Sequence, residues 1–178
     1  SVGAGAVGAG ASITILVVDD PVQAFIGEDA TVEAGTDVTL DAVLIEDVYG
    51  MAVAGQFSAF TSIGAQVVVL VDKSDQYAFI DTDAAIEAGG AVKLYAEANR
   101  TQFKADVIGG SVSGLGAAVG ASVAIATIEG ETKAYSKGHI GAVAPVGSLD
   151  IDAGSTADMY AQSITANIGA GAVGVTVA

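Results

Sequence analysis

Cysteine and tryptophan are absent, histidine occurs once and proline twice, and 6 Lys and Arg stand against 21 Asp and Glu, a formal net charge of −15. Without cysteine there is no disulfide framework, thiolate metal site, iron–sulfur cluster or cysteine nucleophile, and thiol usage carries no sign of redox compartment. So few basic residues rule against the clustered Lys and Arg that a phosphate backbone requires, and nucleic acid is not an expected partner. The single His139 removes histidine metal clusters and reads as an exposed turn residue. Aromatics make up only 6%, too few for the girdles of an up-and-down membrane barrel. What remains is 52% hydrophobic, with 24 Gly in 178 residues, one domain's worth of chain with enough apolar content for a core.

Four stretches, Ser1–Val18, Val48–Val71, Val107–Ile128 and Met159–Ala178, carry no charge over about the length that spans a bilayer as a helix. They are rich in Gly, Ala, Ser and Thr, and acids such as Asp19, Asp47, Asp72, Asp106 and Asp158 flank them. No Lys/Arg asymmetry orients them, so membrane insertion is not expected. No basic segment precedes the first apolar run, so no signal peptide is read there.

An internal repeat organises the chain. Ala24-Phe25-Ile26 returns as Ala78-Phe79-Ile80 and as Ala134-Tyr135-Ser136, at spacings of 54 and 56; Gly10-Ala11, Gly64-Ala65 and Gly120-Ala121 keep the same step. The units run approximately 10–63, 64–119 and 120–178 within a single segment, 1–178. Gly-Ala-Gly-Ala-Val at 3–7 recurs at 169–173, as expected of a piece cut from a longer array.

Within each unit the period is two. Val38, Leu40, Ala42 and Leu44 alternate with polar or outward positions, as do Val92, Leu94, Ala96 and Ala98, then Leu149, Ile151 and Ala153. Period two means strand, and no i, i+3, i+4 stripe supports a helix. Short strands between Gly- and Asp-containing turns predict an all-β fold, a parallel β-helix in which each unit supplies two or three coils of roughly 18–27 residues. At about 4.8 Å per coil the segment would stand roughly 35–45 Å tall. In such a stack Phe25, Phe79 and Tyr135 form an aromatic column, and alternation turns Tyr95 outward.

The strings VEAGTDVTLDA at 32–42 and IEAGGAVKLYAEA at 86–98 resemble the strand-turn-strand rungs of filamentous-haemagglutinin-type adhesins. The Gly-Ala-rich run followed by a strand and an "AFI" or "AY" segment is similar to the repeats of large leukotoxin-like bacterial surface proteins. The third unit departs from this pattern, with Ala144-Pro145-Val146 in place of the Glu-Ala-Gly turn. The resemblance implies a right-handed β-solenoid shaft, exported to the extracellular bacterial surface, with no catalytic residues to carry over.

Asp19 and Asp20, Asp72 and Asp75, and Glu129 and Glu131 fall in one turn of successive units and are the calcium candidates, since hard cations take several carboxylate oxygens. A second turn holds Glu28 and Asp29, then Asp81 and Asp83, then Lys137 and His139. Solvated turns that keep a Gly-Ala-rich fibre soluble account for the same acids, and no Gly-Gly-x-Gly-x-Asp nonapeptide occurs. No catalytic residue, cofactor site or enzyme is expected. The expected function is a structural shaft; the alternative is a module whose outer face recognises a glycan or host surface, or whose copies stack end to end into a filament or sheath. A binding face would show exterior features in one unit only, and Tyr95 and Arg100 are such features in the second. Neither end carries a blunting cap, which favours end-to-end stacking.

Overall fold

The computed structural model describes residues 2–178, with side chains from residue 6 onward. It is all-β: β1 (Val2–Val18), β2 (Val22–Ile26), β3 (Thr31–Ala34), β4 (Val38–Asp72), β5 (Gln76–Ile80), β6 (Ala85–Ala88), β7 (Ala91–Ser113), β8 (Ala117–Ile128), β9 (Thr132–Ser136), β10 (His139–Ile140), β11 (Ser148–Ile168) and β12 (Gly171–Val177). Every ladder among the described residues is parallel, and Val, Ile and Ala at alternating positions suit its strands.

The register reproduces the sequence repeat. Val22 pairs with Gln76, Thr31 with Ala85 and Val38 with Val92, each 54 residues on. Gln76 then pairs with Thr132 and Gly64 with Gly120, 56 residues on. A strand's neighbour is therefore the same segment of the next unit, and one unit makes one layer. This corrects the expectation of two or three coils per unit. The Gly- and Asp-containing turns are corners within a layer, and the stack of about four strands at about 4.8 Å spacing is roughly 19 Å tall instead of roughly 35–45 Å.

Small sheets form two sides of each layer, β2-β5-β9 and β3-β6-β10. The large sheet supplies two longer walls. The first half of β4 pairs with β7, which pairs with β11; its second half pairs with β1 and β8, and β8 with β12. Because β4 runs unbroken from one wall into the other, the large sheet folds back on itself and is nearly closed, like a barrel. Between the walls lies one core cluster, with Val48, Ala52 and Phe103 against Val68, Leu70 and Ala124. A second, around Ile80, Ile86, Val92 and Leu94, fills the space enclosed by the small sheets.

Burial follows layer position. Leu94 in the middle layer is 0% exposed, whereas its partner Ile151 in the third is 41% exposed. Alternation sets which side chains face inward, and a covering layer completes their burial.

Candidate functional site

The inner corner between β7 and the end of β4 holds the only buried cation among the described residues. Arg100 continues the inward parity of Val92, Leu94, Ala96 and Ala98, and its side chain is 1% exposed. Its Nε donates to Asp72 Oδ2, its Nη2 to the Ser74 carbonyl at 3.2 Å and its Nη1 to Ser155 Oγ at 3.4 Å. Asp72 also accepts the Ser74 amide at 2.7 Å. Glu46, the Arg100 counterpart in the first layer, reaches 4.0 Å from its Nε. Both Glu46 carboxylate oxygens lie buried without a hydrogen bond. Burial first, then repulsion from Asp72, hold the Glu46 carboxyl above its ordinary range, against the pull of Arg100.

Arg100 is thus a buried tie and not the exterior feature expected of it. The period-two pattern already placed position 100 inward; its charge suggested otherwise. Immediately beyond, the register slips so that Glu46 faces Arg100 and Asp47 faces Gln102, leaving Thr101 as a bulge that donates to Asp47.

The calcium candidates separate. Asp72 points inward onto Arg100, while Asp19, Asp20 and Glu129 lie on the surface. Asp75 Oδ1 accepts the Glu131 amide at 2.8 Å. The Glu131 carboxylate is engaged by Lys133 and by the Tyr77 hydroxyl at 3.1 Å. Lys133, followed by Tyr77, holds that carboxyl below its ordinary range, and burial together with Glu131 pushes the Tyr77 hydroxyl up to about 12. Glu129 sits 3.5 Å from Lys73 Nζ. Among the described residues no three His, Cys, Asp or Glu side chains converge as a metal site.

The second acidic turn has a backbone explanation. Asp29 and Asp83 occupy the left-handed region, at φ 57° and 58°, where Asp is among the few tolerated side chains. His139 is exposed, 4.0 Å from Asp83 Oδ1.

On the exterior, Phe25, Phe79 and Tyr135 stack with centroids 5.3 and 5.2 Å apart and planes within 10°. Tyr95 points outward, as alternation predicts, and donates to Asp150 at 2.8 Å. Lys104 lies between the rings of Tyr49 and Tyr160 and 3.0 Å from Asp106. Glu87 accepts the amides of Val143 and Ala144 at 2.9 and 3.1 Å, which holds its carboxyl below the ordinary range. The sequence offered no sign of this clasp beyond the altered turn at Pro145.

No family model, curated protein or solved structure matches the chain. Its chemistry is read from its own geometry, and that geometry has one theme. Beyond the Arg100–Asp72 pair, which lies within one layer, polar contacts join one layer to the next: Arg100 to Ser155, Asp75 to Glu131, Tyr95 to Asp150, Glu87 to Val143, and Asp37 to the Ala91 amide at 2.8 Å. Each spans 54–57 residues of sequence. Such contacts resist the separation of layers.

Proposed function

We propose that this chain is a length of right-handed parallel β-solenoid that serves as a structural shaft in an extracellular bacterial surface protein. The observation that carries the reading is the coincidence of repeat and register: each unit lies on its predecessor as one layer, and side-chain ties cross from layer to layer. A shaft needs no more chemistry than this. Its exterior repeats, as the aromatic column does in all three units, which is what a spacer presents and what a unique ligand platform does not. Neighbouring repeats are its natural partners, and the right hand and surface location come from the resemblance to filamentous adhesins.

A tandem duplication of units two and three tests the architecture. The shaft reading expects a particle longer by about 10 Å, two layers at about 4.8 Å, with an unchanged cross-section in small-angle scattering; a wider particle of the same length overturns it. Display is tested by antibody labelling of intact cells that produce the protein, and label that enters only after permeabilisation overturns the surface assignment.

The inward-parity side chains of the outer layer, such as Leu149 and Ile151, are exposed and favour a second reading in which copies stack end to end. Sedimentation at high concentration decides it: oligomers growing along the stack support it, and a stable monomer overturns it.

A further inference from the structure

The register superposes the four uncharged stretches. Residues 8–18, 62–71, 118–128 and 171–177 lie side by side in the β1/β4/β8/β12 wall, so this part of every layer is free of charge and all 27 charged residues lie outside it, with Asp72 at its edge. The polarity of that end is inverted. Its interior holds Gln56, Gln66, Ser111 and Ser122, all buried, and the inward column Gly10, Gly64, Gly120 leaves room for amides: a Cβ at Gly64 would overlap Gln56 and one at Gly120 would overlap Asn167. Large aliphatic side chains occupy the outward positions, while Val68 and Leu70, nearer Asp72, still face the core. Ile13 is 69% exposed, and Ile15, Ile63, Ile125 and Val173 are exposed beside it. In an ordinary half-buried sheet the arrangement is the reverse.

We propose that the outer face of this wall is a pairing surface for a second copy of this chain, the two walls packing face to face about a twofold axis. Three observations select that occupant. The face is a grid of repeated aliphatic columns, Ile13–Val67–Val123–Val177 and Ile63–Val119–Val173 among them, and a flat grid of small branched side chains is complementary to itself at the roughly 10 Å spacing of packed sheets. At net charge −15, contact through the other half of the molecule brings carboxylates together, whereas the face here is uncharged and keeps its acids at the rim. The size also fits. About nine residues at about 3.3 Å by four strands at about 4.8 Å give about 570 Å² per copy, so a pair buries about 1,140 Å², above the roughly 1,000 Å² that a specific interface requires. A lipid surface is the poorer match, because the exposed rim of the wall is acidic, at Asp19, Asp20 and Glu129, and no basic cluster waits for phosphate headgroups. This pairing is lateral and independent of both the end-to-end stacking and the cellular location discussed above.

The absence of cysteine allows a clean test. Val69→Cys lies mid-face and Thr39→Cys lies on the exposed outer side of the charged half of β4. Under mild oxidation the pairing predicts that Val69→Cys forms disulfide dimers at least about tenfold faster than Thr39→Cys. End-stacked copies place their Val69 positions several layers apart, beyond disulfide reach, so stacking alone does not produce the signal. Adding Ile13→Glu and Ile125→Glu, both at exposed outward positions, should slow cross-linking by about tenfold or more and shift sedimentation toward the monomer with unchanged circular dichroism. Equal cross-linking rates for the two cysteine variants overturn the proposal. So does co-flotation with phosphatidylcholine vesicles together with absent Val69→Cys cross-linking, which assigns the face to lipid.

Discussion

Replacing Arg100 by Met is the most informative perturbation of this fold. The methionine keeps most of the aliphatic stem, so packing changes little, but the guanidinium leaves behind the carboxylates of Asp72, fully buried, and Glu46, nine-tenths buried. Removing one partner of a buried ion pair costs about 3–5 kcal/mol, because the remaining charge is stranded in a poorly polarisable interior. Asp72 retains the Ser74 amide, which places the expected loss toward about 3 kcal/mol. Against a total stability of about 5–15 kcal/mol for a domain, that is a large fraction, and it will appear in urea titration as a lower midpoint. The deficit should shrink as the pH falls and the stranded Glu46 carboxyl, already held above its ordinary range by burial, takes up a proton. Adding Asp72→Asn and Glu46→Gln to Arg100→Met should recover most of the loss at neutral pH. A loss below about 1 kcal/mol for Arg100→Met, the range of a solvent-exposed pair, would refute the reasoning that this corner is dry.

Glu46→Gln alone should stabilise the protein at neutral pH: the carboxyl is held above its ordinary range by burial, so the folded state keeps a proton that the unfolded state has lost, and stability falls as pH rises through that window. Urea titrations at several pH values check it, and the advantage of the variant should vanish well below about pH 4, where both states are protonated. Glu87 works in the opposite sense. Its carboxyl is held low by the Val143 and Ala144 amides, so the clasp should persist at the ordinary carboxylate pKa near 4.3 and be lost only below it, read as a loss of amide-exchange protection at those two residues. Gly116→Ala should destabilise by about 1–3 kcal/mol, since its Cβ would collide with the Phe60 backbone carbonyl. Gly55→Ala, with nothing within 4 Å of its Cβ, should be near neutral in the same denaturation assay.

Much of this architecture is written in the chain. The spacings of 54 and 56 read from Ala24-Phe25-Ile26 and its copies are the ladder offsets themselves, because parallel in-register stacking puts like residues on like. Period two fixed which of Val92, Leu94 and Tyr95 face inward. The number of layers per unit was not legible, since a turn that closes a corner and a turn that closes a coil use the same Gly and Asp chemistry. The third unit hid its register for a local reason. Ala85 pairs with His139, 54 residues on, yet Ala91 pairs with Ser148, 57 on; residues 141–147 absorb the difference around Gly141, at φ 66°, and Pro145. The Arg100 corner was hidden by its composition: a cation at an inward position is the exception that alternation cannot announce, and its partner Asp72 ends a different wall.

The offset of the ladders also sets how such a molecule comes into being. No strand pair is local; closing the first contact between two layers means joining residues 54 apart with nothing yet gained in return, so initiation is slow. Once two layers exist, the upper rim of the second is a finished template, and each following unit zips onto it at far smaller entropic cost. Growth therefore proceeds rung upon rung from a single hard-won start, a mode of folding suited to a chain that emerges end first.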